Sequence, residues 1–521
     1  MSCLSFYVIV IITMPRPNPE CYLGIFDTNE PKSNFRPNPQ SSQLNQLVGS
    51  NYLGQNSQTK NQPNDTNPFQ KVFGIELEDR RKHMYIVGKT GMGKTTMLTN
   101  MILQDIYNGL GVCFIDPHGD PSEYILDRIP PHRHQDVVYF NPADTEFPIG
   151  LNILEAQRGE PPFLISSTLL AVFNKIWEGA WSSRMEYILS NTLLTLLETE
   201  GQTLLGVIKI LTDEKYRRKI VARLTDPLVK NFWDLEFAKF NEKYRQEAIA
   251  PILNKIGQFF ANEVIRNILG QTKSTIDIRD IMDNNKILIC NLSKGKLGEE
   301  NSSLLGALLI SKLQIATMSR VDQPENDRRD FFVYVDEFQN FTTESFAGIL
   351  SEARKYRLNL ILAHQYISQL TEGGTRKVKS AIFGNVGTMV SFRVGASDAQ
   401  EISNEFSLTV SAKTLLNLQK GQIAIKLSTE NMALEPFVAN TLPPLFDKMT
   451  GQKDKVITQS RHRYCLPKQI VAGDIRDYLN DTQESKKQAK KHNNQNRTQS
   501  AEQSTMDRYI DEIIELKTPR K

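Results

Sequence analysis

An α/β fold, a mostly parallel sheet with helices over both faces, is predicted by three features of this 521-residue chain. Short apolar runs alternate with helical patterns over most of its length, as in strands buried on both faces. A glycine-rich loop, Gly88 to Thr95 (GKTGMGKT), is entered from one such run and left through a helical pattern. A later run, Phe331 to Val335 (FFVYV), closes on two adjacent carboxylates, Asp336 and Glu337.

Residues 1–70 are expected to be disordered, because Pro15 to Phe69 is rich in Asn, Gln, Pro and Ser with few apolar positions. Before them, Leu4 to Ile12 is apolar but short of the ~20 residues that span a bilayer. It reads as a translated leader before a start at Met14, the alternative being a segment that touches a membrane. No other segment reads as a membrane span.

Residues 71–160 form the first part of the core. Met84 to Val87 is the strand entering the loop, and Thr96 to Ile106 the helix leaving it. Val112 to Ile115 is a strand ending in Asp116, Pro117, His118, Gly119 and Asp120. Residues 161–285 read as an inserted all-helical domain, with Met185, Ile188, Leu189, Leu193, Leu196 and Leu197 at three-and-four spacing. All three tryptophans (Trp177, Trp181, Trp233) lie here among apolar helical positions, which favours core over a binding platform. Residues 286–450 complete the core with strands at Ile287 to Cys290, Phe331 to Val335, Leu358 to Ala363, Met389 to Arg393 and Ile423 to Leu427. Residues 451–521 are expected to be a flexible basic tail, with one terminal helix over Met506 to Leu516. The basic run Lys486 to Lys491 reads first as solvated surface, and second as a contact for DNA or acidic lipid.

The glycines let a backbone wrap closely around phosphates with its N–H groups inward. Gly88, Lys89, Thr90, Gly91, Met92, Gly93, Lys94, Thr95 and Thr96 are therefore the candidate nucleotide cradle, a Walker A motif. Lys94 reaches the β- and γ-phosphates, and the Thr95 hydroxyl ligates Mg²⁺. Asp336 is the Walker B partner for Mg²⁺, and Glu337 the general base that polarises the attacking water. The two motifs predict an ATPase using ATP and Mg²⁺, and the second carboxylate favours a motor over a slow molecular switch.

Ligands of parallel α/β sheets bind at the carboxyl ends of strands. Asp116, His118 and Asp120 then share a crevice with Asp336 and Glu337. With Pro117 and Gly119 between them, they read as a turn rather than a metal cluster. Gln365 ends another strand and suits a γ-phosphate sensor, since it can donate, accept and move. Arg354 and Arg357, near the end of a helix, could enter a neighbouring subunit's nucleotide site or simply complement the helix dipole, and Arg393 is a second candidate. Charge gives no partner away, with 62 basic against 59 acidic residues. Five scattered cysteines without a C-x-x-C pair argue for a reducing compartment and against structural zinc.

Gly88 to Thr95, Asp116 to Asp120, Val335 to Asn340 (VDEFQN) and Ala353 to Gln365 (ARKYRLNLILAHQ) together resemble the FtsK–HerA superfamily of DNA-pumping ATPases. Within it they look most like the TraD/TraG-like coupling proteins of conjugation and type IV secretion. The resemblance spans roughly 72–445. It implies a RecA-like P-loop core, with the helical insertion between Walker A and Walker B meeting substrate. It also implies a ring, expected to be a hexamer, that moves DNA of unspecified strandedness by hydrolysing ATP at subunit interfaces. Glu337, Arg354 and Gln365 would be the catalytic residues, with Arg354 acting as the finger. A relaxase or other secretion components are the implied partners. Coupling proteins usually carry amino-terminal membrane helices; with none read here, the expected location is cytoplasmic, and membrane recruitment through a partner or a soluble role in DNA processing or mobilisation both stay open. Two other readings stay open: a secretion or pilus-assembly ATPase that does not act on DNA, and an ATP-binding scaffold with little turnover. Lys294 and Lys296, in a loop after the Ile287 strand, are candidate pore residues.

Overall fold

The structure, a computed structural model, describes residues 21–27, 70–157, 159–343, 346–370, 376–428, 434–446 and 449–480. Eleven strands form one sheet. In chain order they are β1 (Cys21–Asp27), β2 (Gln70–Ile75), β3 (Met84–Val87), β4 (Gly111–Asp116), β5 (Val137–Phe140), β6 (Ile287–Asn291), β7 (Phe331–Val335), β8 (Leu358–His364), β9 (Thr388–Ser391), β10 (Gln422–Leu427) and β11 (Phe437–Thr441). Their spatial order is β2-β1-β11-β10-β9-β3-β8-β7-β4-β6-β5. From β9 to β5 every pairing is parallel, and from β9 to β2 every pairing is antiparallel.

Successive side chains of a strand point to opposite faces. In β3 Met84 and Ile86 join the core beneath the helix Lys94–Tyr107, with Met97, Met101 and Ile102. Tyr85 and Val87 on the other face are equally buried. Both faces of the parallel half are thus covered, as near-continuous apolar strands require.

Between β5 and β6 every regular element among the described residues is helical, from Pro162–Ile176 to Ile278–Asp283. Polar caps mark the starts of several helices: Ser182 accepts from Met185 N, Asp213 from Tyr216 N and Asn241 from Tyr244 N. Trp177 and Trp233 are buried, and Trp177 stacks on Phe173 with ring centroids 4.7 Å apart. The helices belong to the same compact unit as the sheet, which extends to Lys468. A buried ion pair, Lys312 to Glu160 at 3.0 Å, ties the chain just before them to the helix Glu299–Ser319.

Three expectations need correction. The segment 1–70 was expected to lack structure, but Cys21–Asp27 is a strand pairing with β11 and β2. Cys21 and Leu23 alternate onto the core and are buried there; a strand this short is swamped by the polar composition around it. The tail 451–521 was expected to be flexible, but Lys453–Tyr464 is a helix. Val456 and Ser460, one turn apart, are buried, and the Ser460 hydroxyl accepts the Tyr139 N–H of edge strand β5 at 2.8 Å. The helix thereby covers an otherwise open sheet edge. Lys468–Leu479 is also helical. Finally, Glu299–Asp322 is long and apolar enough to cross a membrane, yet 89% of its most apolar window is buried inside the fold. A helix apolar on all sides suits a protein core as well as a bilayer. The apolar stretch Leu4 to Ile12, the run Lys486 to Lys491 and the segment Met506 to Leu516 lie outside the described residues.

Candidate active site

The loop Gly88 to Gly93 leaves β3 at its carboxyl end and delivers the chain to the helix Lys94–Tyr107. Two glycines are required sterically. A Cβ on Gly88 would lie 2.4 Å from Phe392 Cβ, and Gly93 caps the helix with φ of 115°. Neighbouring strands hold the loop in place: Gly88 N donates to His364 O at 3.2 Å, Lys89 N to Arg393 O at 2.9 Å and Gly421 N to Met92 O at 2.9 Å. Lys89, Thr90, Gly91 and Thr95 are exposed, and Thr96 is half-buried.

Lys94 is buried and folds back on the loop, donating to Gly88 O at 2.5 Å and to Lys89 O at 3.4 Å. Burial pushes its ammonium pKa down, while Glu337 and Asp336 push it up. Among the described residues no carboxylate lies within ion-pair distance of it. The lysine is thus a buried cation held by backbone carbonyls alone, which suits an incoming polyphosphate.

β7 ends at Asp336, whose N–H donates to Ile115 O of β4 at 3.2 Å. The carboxylate is buried, and burial followed by the neighbouring Glu337 raises its pKa to about 6, against the lowering pull of His118 and Lys94. Two adjacent buried carboxylates facing a single lysine leave excess negative charge. A divalent cation fits that donor set, and Asp336 with Thr95 is the pair that would hold it.

Glu337 occupies the left-handed region at φ 47°, ψ 47°, a conformation costing a non-glycine residue ~1–3 kcal/mol and common at functional sites. Its carboxylate is oriented from both sides. Gln365 Nε2 donates to Oε1 at 3.0 Å, and Gln339 Nε2 donates to Oε2 at 2.8 Å. Strand order explains the first contact: β8 lies between β3 and β7, so the residue after its end falls between Walker A and Walker B. His364 just before it is buried, bonded to Tyr85 Oη at 2.5 Å, and desolvation pushes its pKa down to about 3.

The Asp116 motif is a turn. Asp116 accepts from His118 N at 2.8 Å and from both Ser122 N and its hydroxyl, at 2.9 and 2.7 Å, fastening the start of the helix Asp120–Leu126. No metal-binding cluster occurs among the described residues. Lys294 is bonded to Glu299 at 2.8 Å and to Asn340 at 3.0 Å, and Lys296 pairs with Glu123 at 3.6 Å.

Arg354 does not join this crevice. It is exposed in the short 3₁₀ turn Ala353–Tyr356 that precedes β8, at the end of the sheet opposite the nucleotide loop. There its charge helps to lower the pKa of His83, the residue before β3. Arg393, by contrast, follows β9 beside the loop and holds Lys89 through its carbonyl.

Two groups escaped the motif analysis. Gln339 lies inside the Walker B motif, and its position two residues after Glu337 was the only available signal. Behind the crevice, Asp105 of the Walker A helix receives Arg80 at 2.6 and 2.8 Å and Tyr334 of β7 at 2.5 Å, all buried. These three residues are far apart in sequence, and no pattern links them.

Fold and site together define a P-loop nucleotide triphosphatase core of the RecA-like kind. A family model for the type IV secretion-system coupling protein DNA-binding domain matches residues 70–411, and the chain belongs to that family. It is similar to the type 4 coupling protein DotL of Legionella pneumophila, 21% identical over 77% of this chain and 60% of DotL. The chain thus spans less than two thirds of that relative. An uncharacterized protein of Mycoplasma pneumoniae is 26% identical over 24% of this chain and 83% of its own length. Among solved structures, the unbound bacterial conjugative coupling protein TrwBdeltaN70 superposes with a TM-score of 0.52 at 16% identity, covering 72% of this chain and 88% of that one. The plasmid coupling protein TrwB in complex with ADP and Mg²⁺ superposes at 0.51 and 15% identity, covering 72% and 90%. At these identities the likeness is one of fold.

Proposed function

We propose that this chain is an ATP-driven coupling ATPase that moves DNA in conjugation or type IV secretion, hydrolysing ATP at the subunit interfaces of a ring, with a hexamer expected. The observation that carries the ATPase reading is the orientation of Glu337 by Gln365 and Gln339, close enough to Lys94 for its charge to be felt there. Gly88 to Thr96 hold the phosphates of ATP, with Lys94 on the β- and γ-phosphates. Thr95 and Asp336 hold Mg²⁺, which when bound neutralises charge developing on the phosphates. Glu337 takes the proton of the attacking water, and Gln365 is held where it senses the γ-phosphate. Membership of a DNA-binding coupling family supports DNA as the substrate, with a relaxase or other secretion components as partners. Grip through phosphates rather than bases gives a translocase its indifference to sequence. The position of Arg354, away from its own chain's crevice, supports a finger working in a neighbour's site. The domain division follows the same reading: a core of 71–160 and 286–450, interrupted by a substrate-facing helical insertion over 161–285. The complex works on the cytoplasmic side, held at the membrane through a partner. The deciding experiment is ATP turnover with and without single- and double-stranded DNA. DNA-stimulated turnover is expected; turnover indifferent to DNA would favour a secretion ATPase acting on another substrate, and nucleotide binding without turnover a scaffold.

A further inference from the structure

A lysine of the helical region is bonded to the stretch that follows Glu337. Lys175 stands in the last turn of the helix Pro162–Ile176. Its ammonium donates to Gln339 O at 3.2 Å and to Thr342 O. Both carbonyls belong to the stretch that follows Glu337, and the Gln339 side chain reaches back to Glu337 Oε2 at 2.8 Å. The residue as a whole is half-buried, but its ammonium end is enclosed enough that desolvation pushes it down to about 8. Glu178 nearby offsets only part of that desolvation, so holding the cation there on two carbonyls is costly.

The same turn is braced from the core side. Asn340 Nδ2 donates to Glu337 O at 2.7 Å and is itself positioned by Lys294. Phe341 lies against Gly306, where a Cβ would come 2.2 Å from the ring. The left-handed backbone of Glu337 persists only where its surroundings over-determine it. Lys175 braces it from the helical region. Two residues beyond it, Trp177 stacks on Phe173 and on Phe259 of the helix Glu242–Ala261, with ring centroids 4.7 and 5.7 Å away. A shift of these helices therefore moves the anchor of Lys175.

We propose that Lys175 is a positioning residue that ties the orientation of Glu337 to the state of the helical region, so that substrate engaging those helices resets the catalytic carboxylate. This rests on the ATPase reading above. Coupling of this kind is reciprocal, so nucleotide in the crevice must also shift the helices. Trp177 and Trp181 sit where that shift is read, their rings 5.9 Å apart.

The test compares the full chain with Lys175→Met, which keeps the apolar stem and removes the ammonium donors, and Lys175→Arg, which keeps a cation and several donors. Three quantities are measured: binding of a non-hydrolysable ATP analogue, ATP turnover, and tryptophan emission before and after the analogue is added. Lys175→Met should bind the analogue within about twofold of wild type while kcat falls on the order of tenfold. The analogue-induced emission change should disappear with it, and Lys175→Arg should recover part of both. A lysine that only braced the fold would lower the melting temperature and leave kcat and the emission response intact. Wild-type kcat with a wild-type emission response in Lys175→Met overturns the proposal. If the wild-type chain turns over no ATP, the ATPase reading fails by itself. The emission arm then decides the coupling: a response that survives Lys175→Met, or none in wild type, overturns it. Should Lys175→Met fail to fold, Lys175→Gln, still polar but too short to reach both carbonyls, is put through the same measurements.

Discussion

Arg354 and Gln365 stand at opposite ends of one strand, the first in the turn before β8 and the second immediately after it. Seven residues of extended chain separate them by about 20 Å. Gln365 touches Glu337; Arg354 lies away from its own chain's crevice, and in the proposed ring it would serve the nucleotide site of a neighbouring subunit. Arg354→Ala should therefore fold and bind ATP normally yet hydrolyse poorly, because the missing charge matters in the transition state. Mixed with Glu337→Gln protein, it should regain activity at interfaces that combine an intact Arg354 with an intact Glu337. A finger in trans is worth ~10³-fold or more, so a minority of repaired interfaces is visible. No recovery at any mixing ratio, with subunit exchange verified, removes Arg354 from the mechanism and makes Arg393 the next residue to test.

Lys94→Ala and Glu337→Gln should separate binding from chemistry. The first removes the buried cation of the loop and should abolish ATP binding. The second keeps the loop and Asp336, and should bind ATP while turnover falls by about 10²-fold or more. Equilibrium binding and steady-state turnover measured on both proteins decide this; a Glu337→Gln protein that hydrolyses at the wild-type rate would show that the base lies elsewhere.

The buried triad of Arg80, Asp105 and Tyr334 bears on stability. Asp105→Asn leaves the Arg80 charge uncompensated where both side chains are essentially inaccessible, and should cost about 3–5 kcal/mol. Tyr334→Phe leaves the Arg80–Asp105 pair in place and should cost about 1–2 kcal/mol. Urea unfolding of each variant reads these values, and equal losses for the two would contradict the assignment of the charge pair as the dominant contact.

Acid should weaken the fold through its buried histidines. Desolvation pulls His83 down to about 4 and His364 to about 3. Both are neutral in the folded chain at pH values where the unfolded chain binds a proton, so their contribution is present above about pH 6.5 and is lost as pH falls below it. Asp336, raised to about 6, acts oppositely, since its folded form holds a proton more readily than its unfolded form between about pH 4 and 6. His83 has φ of 62°, where asparagine is tolerated, and its Nδ1 accepts the Leu360 N–H at 3.1 Å, a role an amide oxygen can take. His83→Asn should therefore reduce the stability lost between about pH 7.5 and pH 5 by about 2 kcal/mol. An unchanged pH slope in urea titrations would mean that His83 titrates normally in the folded state.

What the sequence by itself determined is the chemistry that local residues encode. Glycines at Gly88, Gly91 and Gly93, the lysine and threonine behind them, and two acids at the end of an apolar strand need only their neighbours to be recognised. The helical run between β5 and β6 was legible for the same reason, since its periodicity is a local property. The order of strands is not local. Only tertiary structure put β8 between β3 and β7, which brings Gln365 onto Glu337 and sends Arg354 to the far end. Burial rather than composition decided that Cys21–Asp27 joins the sheet and that Val456 and Ser460 close its other edge. Lys175 and Gln339 were invisible for a related reason: a lysine at a helix end and a glutamine in a turn carry no pattern until the chain, folded over 160 residues, lays one on the other.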